Sequence, residues 1–173
     1  MKTTLHITLA GLRKHDACEE GYDRLVARLG ADWPDDKPIN LLSCLESNPV
    51  GDVIWALRAT EEDCEYVARM IAADCAESVL HLYEAEYPDD RRPRKAIEAA
   101  RAFARGEIDE QAREAAARAA WNAALTARCD VTSAAALSAS GCASGDVAWN
   151  AAWNAALAAE RERQPDILRK WLS

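Results

Sequence analysis

Apolar residues recur along most of the chain at steps of three and four, the spacing of one face of an α-helix. The clearest run is Cys64, Val67, Ile71, Cys75, Val79 and Leu82. Ahead of it, Thr60 offers a capping hydroxyl, and Glu61, Glu62 and Asp63 offer an acidic first turn. Behind it, Pro88 is a stop. The pattern predicts a helix over residues 60–86, about 25 residues and ~37 Å long, which can serve as the central strut. Before it the pattern predicts short helices over 8–14, 17–29, 39–46 and 53–58. Gly30 ends the second, and the stretch from Asp32 to Pro38 is a loop by its prolines and aspartates. Val53-Ile54-Trp55 also carries a strand signal. After the strut, helices are predicted over 95–105 (closed by Gly106), 109–128, 130–139 and 146–163, with a last turn or two over 166–172. Ser140 to Gly145 reads as a loop.

Composition narrows the fold. Half of the chain is hydrophobic but only 6% is aromatic, and alanine fills 37 of 173 positions. That is too apolar for disorder, and too poor in β-branched and aromatic residues for a sandwich or barrel. The expected architecture is all-α. It is a single-domain, alanine-rich helical bundle with a long central helix. Residues 1–59 form a short-helix N-terminal part and residues 60–173 the bundle. The segment Ala120-Trp121-Asn122-Ala123-Ala124-Leu125 recurs 32 residues later as Ala152-Trp153-Asn154-Ala155-Ala156-Leu157, with a partial copy at Trp149-Asn150. Alanine faces let helices approach closely, with tryptophans filling the wider gaps or forming an oligomer face. Trp149 and Trp153 share a face suited to a homo-oligomer.

Charge limits the partners. The net charge of −8 disfavours wrapping of a nucleic-acid polymer or an anionic membrane surface. No apolar run reaches the roughly 20 residues of a membrane span, and the N-terminus lacks the apolar core of a secretory signal. The six cysteines include no CxxC pair, so reduced, buried thiols of a cytoplasmic protein are expected.

One stretch departs from this acidity. Arg91, Arg92, Arg94, Lys95, Arg101 and Arg105 place six cations in 15 residues. Guanidinium forks suit phosphates and carboxylates, and the neighbouring Tyr87 can stack on a base. A basic pocket in an acidic chain fits a small anionic ligand, with Arg92, Arg94, Arg101 and Tyr87 as binding residues and Trp55 with Arg58 beside them. The alternative is a solvated face on which these arginines pair with Asp89, Asp90, Glu98 and nearby acids. Asp74, Glu77, His81 and Glu84 share one face of the long helix and carry ligand-type groups. One helix gives only part of a metal site, and no second Glu-x-x-His element appears, so the expected reading is a solvated acidic stripe. No nucleophile elbow, phosphate loop, dinucleotide fingerprint or H-E-x-x-H motif is present. No catalytic residue, metal or cofactor is assigned.

The run Arg92-Pro93-Arg94-Lys95-Ala96-Ile97-Glu98-Ala99-Ala100-Arg101-Ala102-Phe103-Ala104-Arg105-Gly106-Glu107-Ile108, together with the repeated Ala-Ala-Trp-Asn-Ala-Ala of the tail, resembles a helical family of immunity proteins of bacterial toxin systems. The resemblance covers about residues 60–160. The segment from Asp52 to Arg58 is more similar to small helical phage relatives of that family. The resemblance implies an all-α fold and a non-catalytic role in conflict between bacteria, toxins and phages.

Three function classes follow. The first is a protein that sequesters a small anionic, nucleotide-type immune signal. The second is an immunity protein or inhibitor that covers a basic toxin or effector, to which the −8 charge would steer it. The third is a metal-dependent hydrolase, with Asp74, Glu77 and His81 as its site. The basic run tips the sequence reading towards the first.

Overall fold

The computed structural model describes residues 4–126, 134, 135, 137, 139 and 164–172. The protein is all-α; among these residues the extended pairing is confined to a two-stranded ribbon and one further bridge. The chain forms two units, one made by residues up to Cys64 together with the end of the last helix from Leu168, the other by Glu65 to Ile167.

In the first unit, β1 (His6–Ile7) pairs antiparallel with β2 (Ile39–Asn40), His6 opposite Asn40 and Ile7 opposite Ile39. Between them lie α1 (Leu9–Lys14) and α2 (Glu19–Leu29). Thr8 caps α1, its hydroxyl accepting from Gly11 N at 3.0 Å. Gly30 ends α2 with φ at 96°, a conformation a side chain resists. The segment predicted as a helix over 39–46 is instead β2 followed by a tight 3-10 segment, Leu41–Glu46. Asn40 turns the chain there: its Oδ1 accepts from Leu42 N at 2.9 Å, and Ser43 Oγ donates to its carbonyl at 2.7 Å. Helix α3 (Val50–Ala56) runs into a 3-10 turn, Leu57–Ala59, so Val53-Ile54-Trp55 is helical and not a strand. Leu5, Ile7, Leu41, Val53 and Ile54 are buried in this unit.

The long helix α4 spans Glu65–Glu86, 22 residues and about 33 Å. It starts five residues later than predicted, because tertiary contacts claim the expected cap. Thr60 bridges to Ile7, and its hydroxyl lies 3.0 Å from Leu57 O. Glu62 turns away from a helical first turn to accept from His6 N at 2.8 Å, with the imidazole Nδ1 2.7 Å from its other oxygen. Cys64 therefore precedes the helix and lies outside its apolar stripe, whereas Cys75 is fully buried.

Helix α5 (Arg92–Ala104) packs against both α4 and α6 (Glu110–Thr126). It begins three residues before its predicted start, with Pro93 in its first turn, where a missing N–H is tolerated. Gly106, at φ 73°, closes it. Asp109 caps α6 as predicted, accepting from Ala112 N at 2.8 Å. The core of this unit is a seam of small residues: Ala72, Ala73 and Ala76 on α4, Ala96 and Ala100 on α5, Ala117 and Ala120 on α6, with Leu80 and Ile97 as the large members. Seams of this kind allow axes near the lower end of the usual 8–10 Å range. In the first copy of the internal echo the alanines face inward and the tryptophan does not. Ala120 and Ala123 are fully buried, whereas Trp121 is 51% and Leu125 69% exposed. This corrects the expectation that the tryptophan fills a core gap. The second copy, the helix predicted over 146–163 and most of 130–145 lie outside the described residues. Helix α7 (Gln164–Leu172) starts two residues before its predicted start.

Ala100 has no exposed surface. Ala100→Leu is expected to lower stability by about 1–3 kcal/mol through overpacking of the seam. Urea unfolding checks this, and an unchanged midpoint would show that the seam has room.

Candidate functional site

Of the arginines singled out in the run, Arg94 and Arg101 reach from α5 to carboxylates of α4, and Arg92 and Arg105 pair with carboxylates of the adjoining connectors. Arg94 grips Glu84 with both arms, Nε and Nη2 each 2.6 Å from a carboxylate oxygen. Arg101 Nη2 donates to Asp74 at 2.6 Å and to Glu77 at 2.7 Å. The two rungs are seven residues apart on each helix, so two antiparallel helices with matching registers bring both together. Burial works against the Arg101 charge, but Glu77 and Asp74 outweigh it and hold the guanidinium well above its ordinary pKa. Arg101 in turn lowers the Glu77 carboxyl. The carboxylates of Asp74, Glu77 and Glu84 are therefore engaged by α5 arginines, although Glu77 keeps an exposed edge. They form the acidic half of an interhelical ladder, with His81 exposed between its rungs. No group of three or more metal-ligating side chains occurs among the described residues.

A third knot sits where α4 hands over to α5. Asp90 accepts from the Arg92 backbone N at 3.0 Å, from its Nε at 2.9 Å and from its Nη2 at 2.6 Å. The hydroxyl of the fully buried Tyr83 donates to the same carboxylate at 2.7 Å. Arg92, with help from Tyr83, holds the Asp90 carboxyl far below the usual range, while burial and Asp90 push the Tyr83 hydroxyl up to about 12. Tyr87 packs on Tyr83, ring centroids 4.9 Å apart. Arg105 is paired with Glu107 at 2.5 and 2.8 Å. The cations of this run that make no ion pair among the described residues are Arg91 and Lys95, both exposed.

Trp55 and Arg58 belong to the first unit, where the Arg58 guanidinium lies 5.0 Å over the Trp55 ring and its Nε donates to Trp55 O at 3.2 Å. Arg58 is exposed and has no carboxylate partner among the described residues. Of the six residues predicted to bind an anion, the structure brings Arg92 and Tyr87 to one knot, through Asp90 and Tyr83. It puts Arg94 and Arg101 on successive rungs, and stacks Trp55 with Arg58.

Sequence reasoning missed two features. The guanidiniums of Arg69 and Arg113, 4% and 3% exposed, both lie over the Phe103 ring, at 4.9 and 5.1 Å. The signal available was an arginine in step with the alanine face of α4, since Arg69, Ala73, Ala76 and Leu80 follow one another at steps of four, three and four. The second feature is an open groove of about 340 Å³ in the first unit, lined by Arg28, Leu29, Trp33, Pro38, Ile39, Asn40 and Ser43. Arg28 is held there by Glu46 at 2.5 Å.

A family model described as Imm-5 like putative immunity protein matches residues 58–164. This is more than half of the chain, and the chain belongs to that family. No curated protein and no solved structure matches it. No helix among the described residues is long and apolar enough to cross a membrane.

Asp90→Asn is expected to destabilise the protein by about 2 kcal/mol at pH 7, the scale of a hydrogen bond to a charged group. A lowered carboxyl stabilises above the ordinary carboxylate pKa, and that contribution fades as the pH drops towards the folded value. The gap between variant and parent should therefore narrow below about pH 4. Unfolding curves from pH 7 to 2 check this; a constant gap would mean that the Asp90 charge is not what stabilises the knot.

Proposed function

We infer that this protein is a non-catalytic inhibitor that binds and blocks a basic toxin or effector protein in conflict between bacteria, competitors and phages, acting in the cytoplasm. The observation that carries this reading is the closure of Arg92, Arg94, Arg101 and Arg105 by Asp90, Glu84, Asp74 with Glu77, and Glu107. Guanidiniums already filled by carboxylates do not form a ready anion pocket, since a ligand would first have to strip each one. With these charges cancelled internally, the chain keeps an excess of 29 Asp and Glu over 21 Lys and Arg. Such a balance steers the chain to a positively charged partner. Membership of an immunity family points the same way.

A second reading is sequestration of a small anionic, nucleotide-type signal. Arg58 stacked on Trp55 favours it, as do Arg91 and Lys95, since none of the three cations has a carboxylate partner among the described residues. Self-association is supported by Trp121 and Leu125, exposed four residues apart on α6.

Affinity capture of the tagged protein from cells, washed at about 50 mM and again at about 500 mM salt, separates the readings. The expected result is one basic protein in near-equal amount at low salt, depleted at high salt, with no nucleotide released on denaturation. Stoichiometric nucleotide without a protein would overturn the inhibitor reading. Its loss in Arg92→Glu with Arg94→Glu would then assign it to α5, and its loss in Trp55→Ala with Arg58→Glu to the first unit.

A further inference from the structure

The groove beside Trp33 lies outside the stretch matched by the family model. Its walls are apolar: Leu29 at the end of α2, the half-buried Trp33 indole, Pro38, and Ile39 on β2. The rest of its lining is Arg28, Asn40 and Ser43, with no carboxylate; Asp32 and Asp36 of the same loop stand outside it. The Arg28 charge is balanced by Glu46 at 2.5 Å. The Asn40 amide is fixed through its Oδ1, which accepts from Leu42 N, and its Nδ2 has no acceptor among the described residues. Lys37 brings the charge that is left over. Its Nζ sits 3.8 Å from the centroid of the Trp33 ring, and it makes no ion pair among the described residues. A ring face attracts an ammonium group without neutralising it. The groove therefore joins an apolar trough to one unbalanced positive charge.

We propose that this groove is a binding site for a small carboxylate with an apolar body, of the aryl- or alkyl-carboxylic acid class. The body lies along Leu29, Pro38 and Ile39 at the edge of the Trp33 ring. The carboxylate meets Lys37 Nζ, with Asn40 Nδ2 as a second donor. A volume of about 340 Å³ with mostly apolar walls and a few polar groups is the make-up of a small-molecule pocket. A single unbalanced cation matches a monoanion; a phosphate dianion would bring one charge more than the groove answers. The ladder arginines differ, because carboxylates of the chain already fill them. The site goes beyond the inhibitor reading and does not depend on it. Its ligand would stabilise the N-terminal unit by mass action.

The test follows the Trp33 Nε1–H resonance of the full chain, identified by its loss in Trp33→Phe. That N–H is buried and has no acceptor among the described residues, so its shift reports changes around the ring. The protein is titrated with phenylbutyrate, with phenylbutyramide, with phenylbutylamine and with AMP. The expected result is a saturable shift with phenylbutyrate alone, weakened about tenfold in Lys37→Gln and lost in Lys37→Glu, both changes on an exposed side chain. Equal binding of the amide would take charge out of the recognition, and tighter binding of the amine would reverse its sign; either overturns the proposal. Tighter binding of AMP would overturn the carboxylate and favour the nucleotide reading. A shift that grows with protein concentration alone makes a second copy the occupant. That result overturns the proposal, as does a resonance silent to every probe, or a phenylbutyrate shift undiminished in Lys37→Glu. Apart from the AMP result, these outcomes leave the inhibitor reading to the affinity capture.

Discussion

Alanine has a single methyl to bury, so helices packed on alanine must come close to gain much from contact. The arrangement of α4, α5 and α6 follows from that constraint. Ala72, Ala73, Ala76, Ala96, Ala100, Ala117 and Ala120 are all buried in one seam, and only Leu80 and Ile97 add bulk. Close helices bring the borders of the seam together as well. Long side chains on facing borders then meet, and those of α4 and α5 meet with opposite charge. Arg94 with Glu84, and Arg101 with Asp74 and Glu77, fix the register that the featureless alanines leave open. Asp90, held by Arg92 and Tyr83, fixes the corner between the two helices.

This division of labour decides what the surface offers. Cations that would otherwise form a basic patch are held inside the ladder, in a chain whose net charge is −8. Among the described residues the apolar exceptions are local: Tyr66 on α4, Trp121 and Leu125 on α6, and the Trp33 groove in the first unit. The inhibitor role proposed above would use this acidic helical scaffold of the Imm-5 like family against a basic protein surface.

Much of the fold was legible in the sequence, because helix periodicity, Gly30, Gly106, Pro88 and the Asp109 cap are local signals. The start of α4 was not. Thr60 and its three acids look like a cap, but the pairing of Thr60 with Ile7 and of Glu62 with His6 depends on residues more than fifty positions away. The ladder was half legible. The cationic run and the acidic stripe were each visible, but their union depends on the register of two helices, across separations of 10 to 27 residues. The expected partners Asp89 and Glu98 were near in sequence; of the acids named there, only Asp90 was right. The Trp33 groove was hidden because Asp32 to Pro38 signals only a turn, and its walls come from α2 and β2.

The central claim is that the α5 arginines belong to the protein's own carboxylates and not to a ligand. The most direct measurement is the nitrogen-15 spectrum of the arginine Nε–H groups, followed during titration with AMP and inorganic phosphate. The account predicts that Arg92, Arg94 and Arg101 give sharp, solvent-protected signals that neither anion moves. Saturable shifts of those three signals at sub-millimolar anion would contradict it and make the ladder a binding site.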